Sequence, residues 1–98
     1  DTGINNIAGY AASKGGLVQL ARWLSTMMAP EVRVNALSPG GIFRDQDAKF
    51  VQRYERETPL GRMGIEDEMV GPILFLASDL SRYMTGHNLV VDGGFSVW

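Results

Sequence analysis

The chain has 98 residues, of which 45% are apolar and 20% charged, with a formal net charge of −2, one histidine and no cysteine. This is the composition of one globular domain at most, and it excludes disulfides, thiolate metal sites and intrinsic disorder. The basic residues are scattered rather than gathered into a phosphate-tracking face, no apolar run reaches the ~18–20 residues of a membrane span, and no basic-then-apolar leader is present, so the expectation is a cytoplasmic protein without a nucleic-acid or membrane partner.

In chain order, the polar opening Asp1-Thr2-Gly3-Ile4-Asn5-Asn6 begins without a methionine, which suggests a piece of a longer protein. Ala8 to Met28 reads as one long helix. Leu17, Ala21, Leu24 and Met28 recur at three- and four-residue spacing as an inward apolar stripe, and Pro30 marks the end. Val32 to Leu37 alternates with period two and reads as a buried strand. Ser38-Pro39-Gly40-Gly41 is a turn. Asp45 to Glu57 is polar, with Phe50, Val51 and Tyr54 at helical spacing, and reads as a surface helix or lid.

After the connecting loop Thr58 to Gly64, a helix from about Glu66 to Ser78 carries acidic residues in its first turn, where they face the positive end of the helix dipole. Val70, Ile73, Leu74 and Ala77 form its core stripe, and Pro72 predicts a kink. Asn88 to Asp92 is a second strand, ended by Gly93-Gly94. Strands joined by helical crossovers give an α/β fold with a parallel sheet. Two strands are too few to cover these helices, so further strands are expected on the N-terminal side.

Tyr10 and Lys14 stand four apart near the start of the first helix, on one face and in line with its apolar stripe. A phenol with a pKa near ~10 is a poor acid–base group at neutral pH. A neighbouring ammonium lowers that pKa, and its three donors can hold ribose hydroxyls. The pair thus suits proton transfer to a carbonyl oxygen. The same spacing by itself also describes an ordinary helix-surface pair.

The neighbouring residues extend the pattern. Tyr10-Ala11-Ala12-Ser13-Lys14-Gly15-Gly16 resembles the Tyr-x-Ala-Ser-Lys-x-Gly/Ala motif of the short-chain dehydrogenase/reductase family. Arg33-Val34-Asn35 with Pro39-Gly40 resembles its Arg-Val-Asn-x-x-x-Pro-Gly segment, and Pro59-Leu60-Gly61-Arg62-Met63-Gly64 its Pro-Leu-Gly-Arg-x-Gly loop. Phe75 to Asp79, Thr85-Gly86 and Val91 to Gly94 follow in the family's order, so the resemblance runs from Tyr10 to Gly94.

The resemblance implies an NAD(P)-dependent oxidoreductase that moves a hydride between NAD or NADP and a small carbonyl or alcohol substrate. The chain would form the C-terminal part of a Rossmann-type doubly wound parallel sheet whose N-terminal strands are missing. Tyr10 matches the family's proton donor, and Lys14 the residue that tunes it and grips the nicotinamide ribose. Pro39, Gly40 and Ile42 match the turn bordering the nicotinamide, where main-chain groups bind its carboxamide. The family often has Thr where this chain has Arg44; an arginine there can reach a phosphate or face solvent as a loop residue.

The family's catalytic serine and its glycine-rich phosphate loop fall upstream of these residues. Taken literally, the 98 residues therefore also fit a non-catalytic remnant that only associates with other subunits or binds nucleotide, and alone they are expected to be inactive and poorly folded. Asn5 to Gly9 only superficially matches an Asn-Asn-Ala-Gly motif of the family and reads as a polar loop and helix start.

Trp23 points away from the helix stripe, beside Ala12, Gly16 and Gln19. Because family members dimerise and tetramerise through this helix, a homodimer or homotetramer interface is expected there. Phe43, Phe50 and Tyr54 either cover a substrate or pack the lid helix down. His87 reads as a solvated or hydrogen-bonded residue rather than a metal ligand, Asp92 as the closer of a turn, and Arg62 as a loop tie.

Overall fold

A computed structural model describes the backbone of residues 3–97 and the side chains of residues 11–97. Its elements are α1 (Gly3–Met28), β1 (Ala36–Pro39), α2 (Ala48–Glu57), α3 (Asp67–Ala77) and β2 (Asn88–Val91), with short 3-10 turns at Asp79–Ser81 and Phe95–Val97. The two strands pair in one parallel sheet joined by a helical crossover, as their pattern predicts. The chain divides into two compact units, Asp1–Ala36 with Arg82–Asn88, and Leu37–Ser81 with Leu89–Trp98.

In the first unit α1 begins at Gly3, five residues before the expected start, so Asn5 to Gly9 is helical backbone rather than loop. The helix stops at Met28 because Pro30 has no N–H to continue the ladder and disfavours helical backbone at Ala29. The Ser25 and Thr26 hydroxyls donate back to the carbonyls of Arg22 and Trp23 at 2.6 and 2.7 Å. Ser25 is buried against Gly86, where a Cβ would lie 2.8 Å from the Ser25 hydroxyl. The expected inward stripe is only partly covered: Ala21 and Leu24 are half-buried, whereas Leu17 is 65% exposed.

The expected strand from Val32 forms only from Ala36. Val32 N–H donates to the Met28 carbonyl at 2.9 Å, and residues 33–35 direct hydrogen bonds to the loop of residues 82–88 instead of to a ladder. The Arg33 guanidinium and the Asn35 amide both donate to the Met84 carbonyl at 3.1 Å. Val34 N–H donates to the Thr85 hydroxyl, and Gly86 N–H returns to the Val34 carbonyl. The Asn35 side-chain Oδ1 accepts from His87 N–H at 3.0 Å, and ladder pairing begins where Ala36 N–H meets the His87 carbonyl at 2.8 Å.

In the second unit α2 is exposed along most of its length and has no buried residue. Thr58 closes it: its hydroxyl donates to the Tyr54 carbonyl at 2.7 Å, and the residue is almost fully buried. Acidic Asp67 and Glu68 occupy the first turn of α3, and the helix runs on through Pro72. Its expected core stripe is not covered, since Val70, Ile73 and Leu74 are each more than half exposed. Ser81 is buried in the turn after α3, its hydroxyl donating to the carbonyls of Leu76 and Ser78. Met63 is the buried apolar side chain among the described residues.

Candidate functional site

The end of β1 delivers the chain into a tightly determined turn. Gly40 N–H makes a ladder bond to the Val91 carbonyl at 2.9 Å. Gly64 then pairs with this segment by a single parallel bridge: Gly64 N–H donates to the Gly41 carbonyl, and Phe43 N–H donates to the Gly64 carbonyl, both at 2.8 Å. This pattern turns the N–H and C=O of Ile42 together away from Gly64. The Ile42 carbonyl accepts from the Gln46 side-chain amide at 2.9 Å, and the Gln46 oxygen accepts from Arg44 N–H at 2.7 Å. The Ile42 N–H has no protein acceptor among the described residues.

Both glycines of the turn are required by close approach. A Cβ on Gly40 would lie 2.7 Å from both the Cα and the Cβ of Asp92. One on Gly41 would lie 2.6 Å from the Tyr54 ring. Tyr54 reaches the turn from α2, and its phenol oxygen accepts the Gly41 N–H. The ring stacks on Phe95 with centroids 4.7 Å apart and lies 6.3 Å from Phe50. Between turn, loop and β2 lies a small cleft of about 100 Å³, lined by Gly40, Ile42, Tyr54, Leu60, Arg62 and Asp92 among others.

Two carboxylates fix the surroundings of this cleft. Glu68 accepts a two-pronged bond from the Arg62 guanidinium at 2.7 and 2.6 Å, and also takes Ile65 N–H at 3.0 Å. The arginine bonds come first and the backbone bond second in drawing its pKa down to about 2, and the same contact raises that of Arg62. Arg62 also donates to the Met63 carbonyl, so it ties its loop as expected. Asp92 accepts from the N–H groups of Gly94 and Ser96 at 2.9 and 3.0 Å and closes the turn after β2. Hydrogen bonding from the Ser96 side chain, then from those backbone donors, holds its carboxyl below the usual range against the opposing effect of burial. Gly93 and Gly94 permit that turn with positive φ of 65° and 94°.

Of the expected site residues, Pro39 ends β1, a residue later than a turn from Ser38 would allow, and Gly40 and Ile42 lie in the turn that follows on either side of Gly41. Lys14 is exposed on α1, one helical turn beyond Tyr10, whose side chain lies outside the described residues. Arg44 is exposed, and its Nε lies 3.1 Å from Glu66 Oε1, a contact between side chains that are 68% and 70% exposed. His87 is exposed, and its backbone groups bond to Asn35 and Ala36. Of the three lid aromatics, Tyr54 packs the helix down, while Phe43 and Phe50 are 45% and 51% exposed.

Sequence reasoning missed the bond from Gly41 to Tyr54 and the role of Gln46. The tandem Gly40-Gly41 signals that something bulky approaches, but its spacing does not say which side chain. Gln46 could have been found as a turn-closing amide four residues beyond Ile42.

The turn fits the carboxamide of a nicotinamide. Its outer edge offers an unclaimed donor, Ile42 N–H, beside a carbonyl and a second N–H already bridged by a primary amide, that of Gln46. Among the described residues no group of three or more His, Cys, Asp or Glu is placed to hold a metal, and no helix is long and apolar enough to cross a membrane.

Known proteins share this chain's sequence and fold. Residues 1–96 match the family model described as enoyl-(acyl carrier protein) reductase. A sorbose reductase of Schizosaccharomyces pombe is 42% identical over 92 residues, covering 90% of this chain and 36% of that protein. An L-rhamnose 1-dehydrogenase (NAD(P)(+)) of Azotobacter vinelandii is 43% identical over 95 residues, covering 90% and 37%. A short-chain dehydrogenase of Leptospira borgpetersenii, solved with bound NAD+, superposes with a TM-score of 0.87 at 49% identity, covering 89% of this chain and 35% of that one. The chain thus spans about a third of the length of the curated relatives it matches. By motif, fold and these matches, the chain belongs to the short-chain dehydrogenase/reductase family.

Proposed function

We propose that this chain contributes the proton-transfer residues and the nicotinamide-facing turn of an NAD(P)-dependent oxidoreductase that interconverts an alcohol and a carbonyl on a sugar or sugar alcohol. The observation that carries the reading is the Ile42 edge, where an unclaimed main-chain N–H adjoins groups that already hold a primary carboxamide. The substrate class is supported by the sorbose and rhamnose enzymes among the relatives.

The nicotinamide, when bound, supplies or takes the hydride. Ile42 N–H donates to its carboxamide, and Gly40 and Gly41 keep the turn close against β2 and α2. Tyr10 gives a proton to the substrate oxygen during reduction and takes it back during oxidation. Lys14, one turn further along α1, stabilises the phenolate and holds the ribose hydroxyls. Arg44 can exchange its exposed contact with Glu66 for a cofactor phosphate, because an exposed ion pair holds it only weakly. The exposed face around Trp23 on α1 serves a homodimer or homotetramer.

The test is Tyr10→Phe in the protein that carries this chain, assayed with sugar alcohols and NAD+ or NADP+ by the absorbance of reduced nicotinamide. Turnover falls by about 10²–10⁴-fold, the range of a positioned general acid–base, while cofactor binding persists. Undiminished turnover in the variant removes Tyr10 from the chemistry, and a wild-type protein that binds neither NAD(H) nor NADP(H) overturns the whole reading.

A further inference from the structure

The geometry points to Tyr54 as a positioning residue that holds the nicotinamide-facing turn in its binding shape, an inference that rests on the reading of Ile42 as the carboxamide donor. Three observations converge on it. First, Tyr54 is the protein acceptor of the Gly41 N–H, the peptide group next to Ile42. Second, its ring occupies the space a Cβ on Gly41 would need, 2.6 Å from that position, so turn and ring are shaped to each other. Third, the ring cannot swing freely, because it stacks on Phe95 at 4.7 Å with planes only 10° apart and lies beside Phe50.

The consequence follows from the local backbone. On one side, the turn is pinned by Gly40 N–H to Val91 and by the Gly64 bridge. These bonds fix the Pro39–Gly40 peptide through its N–H and the Gly41–Ile42 peptide through its carbonyl, but leave the Gly40–Gly41 peptide between them free to rotate between two residues with no side chain. The phenol closes that freedom. With the Gly41 N–H held toward Tyr54, the orientation of that linking peptide is set, and with it the place to which the turn carries the Ile42 N–H. Without the acceptor, a half-buried Gly41 N–H is left unpaired and the turn can relax to seek another partner. Tyr54 thereby links α2, the expected lid over the substrate, to the grip on the cofactor.

Tyr54→Phe separates this role from packing, because it keeps the ring stack on Phe95 and removes only the oxygen. We expect faster amide hydrogen exchange at Gly41 and a KM for the nicotinamide cofactor raised about tenfold, the factor one net hydrogen bond carries, with kcat at saturating cofactor changed far less. Phe95→Leu, which keeps the oxygen but removes the ring beneath it, raises the same KM by a smaller factor. Faster exchange at Gly41 with an unchanged cofactor KM shows a clamp that serves the fold alone and overturns the inference, while leaving the proposed function intact. Unchanged exchange at Gly41 also overturns it. If Tyr54→Phe does not fold, Phe95→Leu decides: an unchanged cofactor KM there sinks the inference. Absence of any nicotinamide binding by the wild-type protein sinks both readings.

Discussion

Gly40→Ala puts one methyl group where the structure has the least room to receive it. The new Cβ would lie 2.7 Å from the Asp92 Cα, and the gap must open by about 0.7 Å to reach 3.4 Å, the lower edge of ordinary contact. Two routes offer relief, and both are costly. Moving β1 stretches the Gly40 N–H bond to Val91, now 2.9 Å. Moving Asp92 drags a carboxylate away from the N–H groups of Gly94 and Ser96. The obstacle is main chain rather than the end of a flexible side chain, so the cost belongs at the upper end of the overpacking range, about 3 kcal/mol.

The assay is urea unfolding of the protein that carries this chain, followed by circular dichroism. The midpoint should fall by about 1–3 M at unchanged slope. Gly71→Ala is the internal control: it sits within α3 with nothing within 4 Å of its Cβ position, and should stabilise by about 0.5–1 kcal/mol. A Gly40→Ala unfolding free energy within about 0.5 kcal/mol of wild type would refute the close approach of Gly40 to Asp92, since surface substitutions alone produce changes of that size.

Asn35→Ala removes the acceptor of the His87 N–H and one donor to the Met84 carbonyl, which Arg33 continues to satisfy; a loss of about 1 kcal/mol is expected, and thermal unfolding at the wild-type temperature would count against it. The Glu68 carboxyl is drawn from an ordinary 4.5 to about 2, so its tie to Arg62 contributes fully above pH 4.5 and is lost as the pH falls through about 2. Glu68→Gln should flatten stability against pH across that window, and a carboxyl resonance of Glu68 that titrates near 4.5 would contradict the bond. Produced as an isolated 98-residue polypeptide, the chain should unfold without a cooperative transition, because Leu17, Ile73 and Leu74 stand more than half exposed; a sharp calorimetric peak would show otherwise.

Local chemistry made much of this legible in the sequence. Pro30 and the helical period gave the end of α1, and the β-branched run with the closing glycines gave β2 within a residue. Arg62 and Asp92 do what an arginine and an aspartate beside glycines ordinarily do. What stayed hidden depends on partners distant along the chain. Val32 to Asn35 alternates like a strand, but Val32 N–H is taken by the end of α1 and residues 33–35 bond to the loop around Met84, so the ladder starts four residues late. Apolar stripes predict which face a helix would bury, and Val70, Ile73 and Leu74 show that they do not predict whether anything covers it. The bond from Gly41 to Tyr54 spans thirteen residues and leaves no periodic trace.

Helix α2 is moored at few points. Thr58 seals its end, Tyr54 fastens its middle, Val51 is half-buried, and the remaining side chains of Ala48 to Glu57 face outward. Such a division lets selection act on two properties separately. On the proposed function, positions such as Lys49 and Arg53 are open to exchange as the protein adapts to new molecules, while the mooring residues keep the turn at Gly41 in place. Diversification of specificity would then be recorded in the outward face of one ten-residue segment.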